Sequence, residues 1–334
     1  MSTANAWTAH GFSGLDSFVF GPREVPAPGP GEITVSVTAA GVNPADLKHV
    51  RRASDPALLP MPIGYEIAGT VSATGPGAVL GSGAPAAIGD RVAAFRVHGG
   101  YAEALTVPAT DAFALDAHVD HRAAAGLLLA GCTAAELLHR SGARRGDTVV
   151  VHGASGAVGT VVLQLARRAG ITVIGTCGPD REDDVRRFGG IPVPRTPSPV
   201  PRPLSPVPRP LSPVEGTSLA ARIRAAAPGP IVAALDCAGT PEAVAASLDL
   251  VPERSRILTV AAPAAAREYG FTALAGTAPD SAAYRDSVRA QLVSLLGTGE
   301  LTVPIARTFG LSEARAALEL VASGHAHGKV VLLP

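Results

Sequence analysis

The segment from Thr148 to Gly170, TVVVHGASGAVGTVVLQLARRAG, constrains the fold of this chain more than any other. A short, wholly apolar run is followed by small residues and then by an apolar pattern of helical period. That order predicts a buried strand, a tight turn and an amphipathic helix. Ala154, Gly156 and Gly159 form an A-x-G-x-x-G version of the dinucleotide-binding turn. Small side chains let such a turn tighten, let the backbone approach a pyrophosphate, and let helix pack on strand, while free N–H groups at the helix start face the phosphates. The candidate cofactor contacts are therefore Ala154, Ser155, Gly156, Ala157, Val158 and Gly159, and the competing reading is a tight structural turn.

The pattern around this segment divides the chain. Glu32 to Ala39 alternates apolar and polar residues, and similar short strands follow at Glu66 to Ala73, Arg91 to Phe95 and Ala102 to Val107, with Gly and Pro clusters between them. This period of two predicts a β-rich first half. After about Arg122 the pattern becomes helical stretches alternating with apolar strands, at Ala123–Arg140, Thr148–His152, Val158–Ala169, Thr172–Thr176, Ile231–Cys237 and Arg256–Val260. Such alternation predicts a doubly wound parallel sheet, and so an α/β class. A helix from about Ser312 to Ala322 precedes a last strand, KVVLL. Residues 201 to 207, PRPLSPV, repeat unchanged at 208 to 214, and 194 to 200 is a degenerate copy. Proline at several positions of each copy forbids helix interior, so 194–214 reads as an extended polyproline-like insertion or disordered chain, with docking to a proline-reading partner as the rival reading.

Composition excludes several classes. The 334 residues include 28 basic and 28 acidic side chains, leaving no basic field for nucleic acid or an anionic membrane. The three cysteines, Cys132, Cys177 and Cys237, have no close spacing, which excludes a disulfide framework and fits a reducing, cytoplasmic setting. The first ten residues carry no basic start or apolar core, and no uncharged apolar run of about 18 residues occurs, so neither export nor membrane insertion is expected. Nearly all positive charge is arginine; the two lysines are Lys48 and Lys329.

The strand after the glycine turn ends in TCGPDR. An NAD site places a carboxylate near this point for the ribose 2′-hydroxyl. Cys177 stands there instead, followed by Gly178 and Arg181, so nothing repels a 2′-phosphate and Arg181 is a candidate clamp for it. A surface arginine paired with Asp180 or Glu182 is the alternative.

Eight segments together carry a family resemblance: AAGVNPADLK (39–48), PIGYEIAGTV (62–71), GDRVAAF (89–95), GGYAEAL (99–105), AGCTAAELL (130–138), VVVHGASGAVG (149–159), DCAG (236–239) and SGHAHGKVVL (323–332). In these the chain resembles the zinc-independent quinone oxidoreductase, or zeta-crystallin-like, branch of the medium-chain dehydrogenase/reductase superfamily. The resemblance implies a GroES-like β domain (1–122 and 278–334) and a Rossmann domain (123–277) with the active site in the cleft between them. It also implies homodimerisation, through the edge strand near Phe271 to Ala275.

Zinc-dependent relatives hold their metal with a cysteine near the start of the 41–48 segment and a histidine in Gly-His-Glu. Here the first place reads Gly-Val-Asn-Pro-Ala-Asp and the second reads Gly64-Tyr65-Glu66, so no catalytic metal is expected. Tyr65, in the place of the histidine, is by resemblance a hydrogen-bond or proton donor to substrate, with a packed core tyrosine as the equal alternative. Asn43 resembles the asparagine beside the nicotinamide ribose, and Thr133 a threonine of the nicotinamide pocket. Lys48 stands where several relatives carry a tyrosine, which makes it a candidate donor or a solvent-facing rim lysine. Lys329 is a candidate 2′-phosphate contact or a plain strand-edge lysine. Asp46 and Glu66 read as orienting groups inside the β domain. The activity implied is NADPH-dependent hydride transfer to a small quinone or enone. The rivals are a cofactor-binding protein without turnover and a non-redox cyclase or lyase.

Overall fold

A computed structural model describes residues 2–196 and 217–334. Most of the proline repeat, from residue 197, lies outside the described residues. The chain forms two compact units, one of residues 1–130 with 287–334 and the other of residues 131–286. Among the described residues no helix is long and apolar enough to cross a membrane.

Among the described residues the second unit contains six parallel strands: β1 (Thr148–His152), β2 (Thr172–Cys177), β3 (Ile191–Pro194), β4 (Ile231–Asp236), β5 (Ile257–Thr259) and β6 (Thr272–Ala273). Their order in the sheet is β3-β2-β1-β4-β5-β6, the doubly wound arrangement that the alternating pattern predicts. Between β1 and β4 the winding reverses, and the crevice at the carboxyl ends of such a pair is where ligands bind in open α/β sheets. β1 is buried at every residue, so it has no polar face to alternate with. The helix Ala157–Ala169 follows it, buries Val161, Val162, Leu163 and Ala166, and ends at Gly170 in the left-handed conformation.

The first unit is built mainly on antiparallel pairing, with Ile305–Gly310 parallel to Lys329–Leu333. A seven-stranded sheet places Glu32–Val42 between Glu66–Thr74 and the C-terminal strand Lys329–Leu333, with Arg91–Phe95 and Ala112–Ala114 beyond the former and Ile305–Gly310 beyond the latter. Ala104–Pro108 also pairs with Glu32–Val42. A separate three-stranded sheet is made by Ser2–Ala9, Phe18–Val25 and Met61–Pro62. The core includes Ile33, Val35, Ile67, Val92 and Leu332, the inward positions of the alternating strands. The helix predicted over 123–140 is two, His121–Ala125 and Leu128–Arg140. Gly126 lies between them, where an added Cβ would meet the aliphatic stem of Lys329 at 2.7 Å.

Lys329 is 1% exposed, and its ammonium donates to Glu66 and, at 2.7 Å, to the Asn43 side-chain oxygen. Removing one member of a buried pair leaves the other charge uncompensated. Lys329→Ala is therefore expected to lower the unfolding free energy by about 3 to 5 kcal/mol in urea titrations. A loss below about 1 kcal/mol would place the contact with ordinary surface pairs.

Candidate functional site

The glycine turn of the second unit stands where β1 ends at the reversal of the sheet. Ala154 is fully buried, and its N–H donates to the Thr176 carbonyl of β2 at 2.9 Å. Gly159 packs so closely that an added Cβ would lie 2.4 Å from the Gly153 carbonyl oxygen and 2.6 Å from the Ala154 Cα. This is the close approach of helix and strand that the motif requires. Gly156 differs, because its Cβ would meet only the Gly153 carbonyl, at 3.3 Å. The space in front of it is open, and Ser155, Gly156, Ala157 and Val158 are all half-buried. The first N–H groups of the following helix lack intrahelical acceptors, so an open cradle lies beside donors suited to a phosphate. The residues present thus fit a dinucleotide pyrophosphate.

Four polar side chains line the carboxyl edge of the sheet beside this turn. Thr176, His152, Asp236 and Thr259 are neighbours across β2, β1, β4 and β5, and all are buried. Asp236 accepts from the N–H groups of Ala238 (3.0 Å) and Gly239 (2.8 Å) and from the Thr259 hydroxyl (2.7 Å). Thr259 in turn accepts from the Ala261 and Ala262 N–H groups. Burial pushes His152 down to about 4, with nearby Asp236 opposing, so the imidazole is neutral at physiological pH.

At the end of β2, Cys177 is 4% exposed, and burial with the neighbouring Glu182 charge pushes its thiol up to about 12. The position therefore carries no negative charge. Gly178 follows, half-buried, and Arg181 pairs with Asp184 at 2.9 Å. Thr133 is buried on the helix Leu128–Arg140.

In the first unit the helix Pro44–Arg52 is started by Asn43, whose N–H donates to Asp46 at 2.7 Å. Tyr65 is half-buried, and its hydroxyl makes no hydrogen bond among the described residues. The His49 ring meets the Tyr65 ring edge-on with centroids 4.5 Å apart, and the exposed His98 ring lies 5.7 Å away on a similar edge contact. Burial and then the Asp46 charge push the Tyr65 phenol up to about 12, so it holds its proton at neutral pH. Burial, with Arg52 and His98 adding to it, lowers His49. Lys48 is exposed on the same helix.

Two expectations are corrected. Lys329 is no phosphate contact: its ammonium is enclosed in the first unit by Glu66 and Asn43, and a buried ammonium with two protein acceptors is not available to an outside anion. Asn43, 3% exposed, spends both amide hydrogens inside the protein, on Glu66 (2.9 Å) and the Gly41 carbonyl (3.3 Å). It holds the buried network together and has no side-chain donor left for a ribose. His49 was not singled out in the sequence, although its place one helical turn after Asp46 is the signal that would have found it.

The chain matches the Alcohol dehydrogenase GroES-like domain family over residues 29–117 and the Zinc-binding dehydrogenase family over residues 215–332. It is 33% identical over 185 residues to a 2-haloacrylate reductase of Burkholderia sp, covering 53% of this chain and 54% of that protein. It is 37% identical over 160 residues to a quinone oxidoreductase of Rattus norvegicus, covering 47% of each. The chain thus spans about half the length of the curated relatives it matches. A solved mycobacterial structure complexed with NADPH superposes with a TM-score of 0.78 at 25% identity, over 99% of this chain and 100% of that one.

Gly156→Val fills the open cradle without disturbing a left-handed residue, since Gly156 has an ordinary φ of −80°. The variant is expected to fold with unchanged far-ultraviolet circular dichroism and to bind NADPH at least about tenfold more weakly, a loss of ~1.4 kcal/mol, by fluorescence titration. Unchanged affinity would assign the turn to structure alone.

Proposed function

The chain belongs to the medium-chain dehydrogenase/reductase superfamily, and we propose that it is a zinc-independent reductase passing hydride from NADPH to a quinone or an α,β-unsaturated carbonyl compound. The observation that carries this reading is the open cradle at Gly156, set between a buried strand and a helix start at the reversal of a doubly wound sheet. Bound there, the nicotinamide cofactor supplies the hydride. Preference for the phosphorylated form is supported by the uncharged Cys177 and by Arg181 four residues on. Engaging a 2′-phosphate requires Arg181 to turn from Asp184, an exchange of one anionic partner for another.

The acceptor class is supported by the names of the relatives, one a quinone oxidoreductase and one a reductase of a halogenated acrylate, itself a conjugated acid. Hydride arriving at the β-carbon of such an acceptor leaves negative charge on the carbonyl oxygen, which a fixed hydrogen-bond donor stabilises. Tyr65 is suited to that task because its hydroxyl makes no hydrogen bond among the described residues and is protonated at neutral pH. It would donate to the oxygen first, and a proton from it or from water would complete the reduction. Asn43, Gly41 and Glu66 stand at the zinc-ligand segment as amide, backbone and paired carboxylate, none of them a thiolate or imidazole, which supports chemistry by hydrogen bonding. Exposed Lys48 is screened by solvent and is a weaker donor candidate.

Anaerobic oxidation of NADPH and NADH, with a small quinone and a small enone offered separately, tests the reading. NADPH-selective turnover is expected with at least one acceptor; NADPH binding without oxidation by either would point to a non-redox role. Arg181→Ala is expected to weaken NADPH binding by about 1 to 3 kcal/mol and leave NADH nearly unaffected. Equal losses for the two cofactors would remove Arg181 from the phosphate. Tyr65→Phe is expected to lower kcat more than cofactor affinity.

A further inference from the structure

The buried cluster of the first unit contains two carboxyl groups and one ammonium. Glu66 accepts from the Lys329 ammonium, from the Asn43 amide at 2.9 Å and from the Leu129 N–H at 2.9 Å, so its charge is matched and both its oxygens are bonded. Asp46, 1% exposed, is placed differently. Both of its donors, the Asn43 N–H and the Tyr101 hydroxyl, each at 2.7 Å, fall on Oδ2, while Oδ1 is buried with no partner. Among the described residues no cation bonds to it. A bare anionic oxygen away from water is far more costly than an unpartnered neutral hydroxyl, so a carboxyl in this setting favours its protonated form.

The same residue stands beside the proposed proton donor. Asp46 and His49 lie three apart on the helix Pro44–Arg52 and therefore share a face, and His49 is in ring contact with Tyr65. Gly64, just before Tyr65, packs its backbone on Tyr101, where a Cβ would lie 2.5 Å from the ring. Glu66, just after Tyr65, is the partner of Lys329. Tyr65 is thus bracketed in the chain by residues that hold the Asp46 cluster.

We propose that Asp46 carries a proton on Oδ1 in the resting protein up to neutral pH, and that its ionisation governs how readily Tyr65 releases its own proton. Asp46 is a positioning residue on this account, acting on Tyr65 through charge. Its relevance to turnover rests on the reductase reading of Tyr65. The groups facing Asp46 are Tyr101, Glu66, Lys329 and Tyr65; His49 and His98 lie against the Tyr65 ring, and Arg52 acts on His49. Burial pushes Asp46 up to about 7 against the opposing pull of Tyr101, the Asn43 N–H and Lys329. Ionisation releases one proton and leaves one uncompensated negative charge, which raises the phenol of Tyr65. The protonated state of Asp46 is therefore the one in which Tyr65 is the better acid.

Two measurements on the full chain, neither using turnover, test this. Infrared difference spectra between pH 6 and pH 9 should show a protonated-carboxyl carbonyl band in the wild type that disappears on raising the pH and is absent in Asp46→Asn. A wild type without that band at pH 6, or a band retained in Asp46→Asn, overturns the proposal. In the second, difluorotyrosine at position 65 brings the phenol titration into an accessible range. Its absorbance midpoint at alkaline pH should fall by roughly one pH unit when Asp46→Asn is added, and an unmoved midpoint overturns the coupling. Should Asp46→Asn fail to fold, Tyr101→Phe serves. Losing the hydroxyl donor to the carboxylate should move the infrared band to higher pH, and an unmoved band overturns the proposal. If both measurements succeed and the protein reduces no acceptor, the reductase reading fails alone.

Discussion

The buried pair of Lys329 and Glu66 is the contact on which the first unit depends. Their separation of 263 residues means that the last strand of the chain returns to complete a sheet begun near its start. A pair of this kind contributes little net stability over an apolar pair of the same volume, because both charges lose their water. Its value lies in register. The strand Lys329–Leu333 pairs antiparallel with Glu32–Val42, Val330 opposite Val42 and Val331 opposite Gly41. A slip by one residue would carry the ammonium to the other face of the sheet and strand Glu66 without a cation. The close fit is visible at Gly41, where an added Cβ would lie 2.4 Å from the Glu66 carboxylate, and at Gly126 against the lysine stem.

Much of this architecture is legible in the sequence because burial writes itself as periodicity. Within Glu32–Val42 the alternation is plain from Val35 to Ala39, where exposed Ser36 and Thr38 separate buried Val35, Val37 and Ala39. β1 carries three successive valines, Val149 to Val151, because both its faces are covered. The glycine turn is legible because close packing at Gly159 admits no side chain. The strands Ser2–Ala9 and Phe18–Val25 escape such a reading. Three of the residues that Ser2–Ala9 buries, Ala4, Ala6 and Ala9, are too small to mark a pattern. The helix Pro279–Gly297 escapes it as well: its buried face carries Arg285 and Arg289, which break the apolar stripe yet are matched by Glu136 and Asp111. Pairing, not hydrophobicity, places those arginines inside.

The candidate site was legible in part, and the division is physical. Residues whose role rests on local backbone shape, such as Ala154, Gly156 and Gly159, can be read from neighbours in sequence. Residues whose role rests on a distant partner cannot. Lys329 resembles any strand lysine until Asn43, 286 residues earlier, is seen to accept from it. His49 is one imidazole among nine until the helix turns it against Tyr65. Cys177 is the intermediate case. The missing carboxylate is visible in the sequence, whereas the neutrality of the thiol follows from its burial.

A phenol donates a proton only as readily as its surroundings tolerate the phenolate left behind. The tolerance at Tyr65 is set by a charge count in the layer of structure that also closes the fold. With Asp46 neutral, the cluster of Glu66, Lys329 and Asp46 sums to zero; with Asp46 ionised it sums to minus one, inside a region where charge is poorly screened. The single ammonium therefore does two things at once. It fixes the register of the last strand, and it decides that one of the two buried carboxyls is balanced while the other is left to answer to pH. Placing a tyrosine between such neighbours makes its acidity a property of the packed unit and not of the side chain alone. Buried and hydrogen-bonded, Asn43, Asp46, Glu66 and Tyr101 fix that charge count within one unit, while the Tyr65 hydroxyl, without a hydrogen bond among the described residues, is left to respond to it.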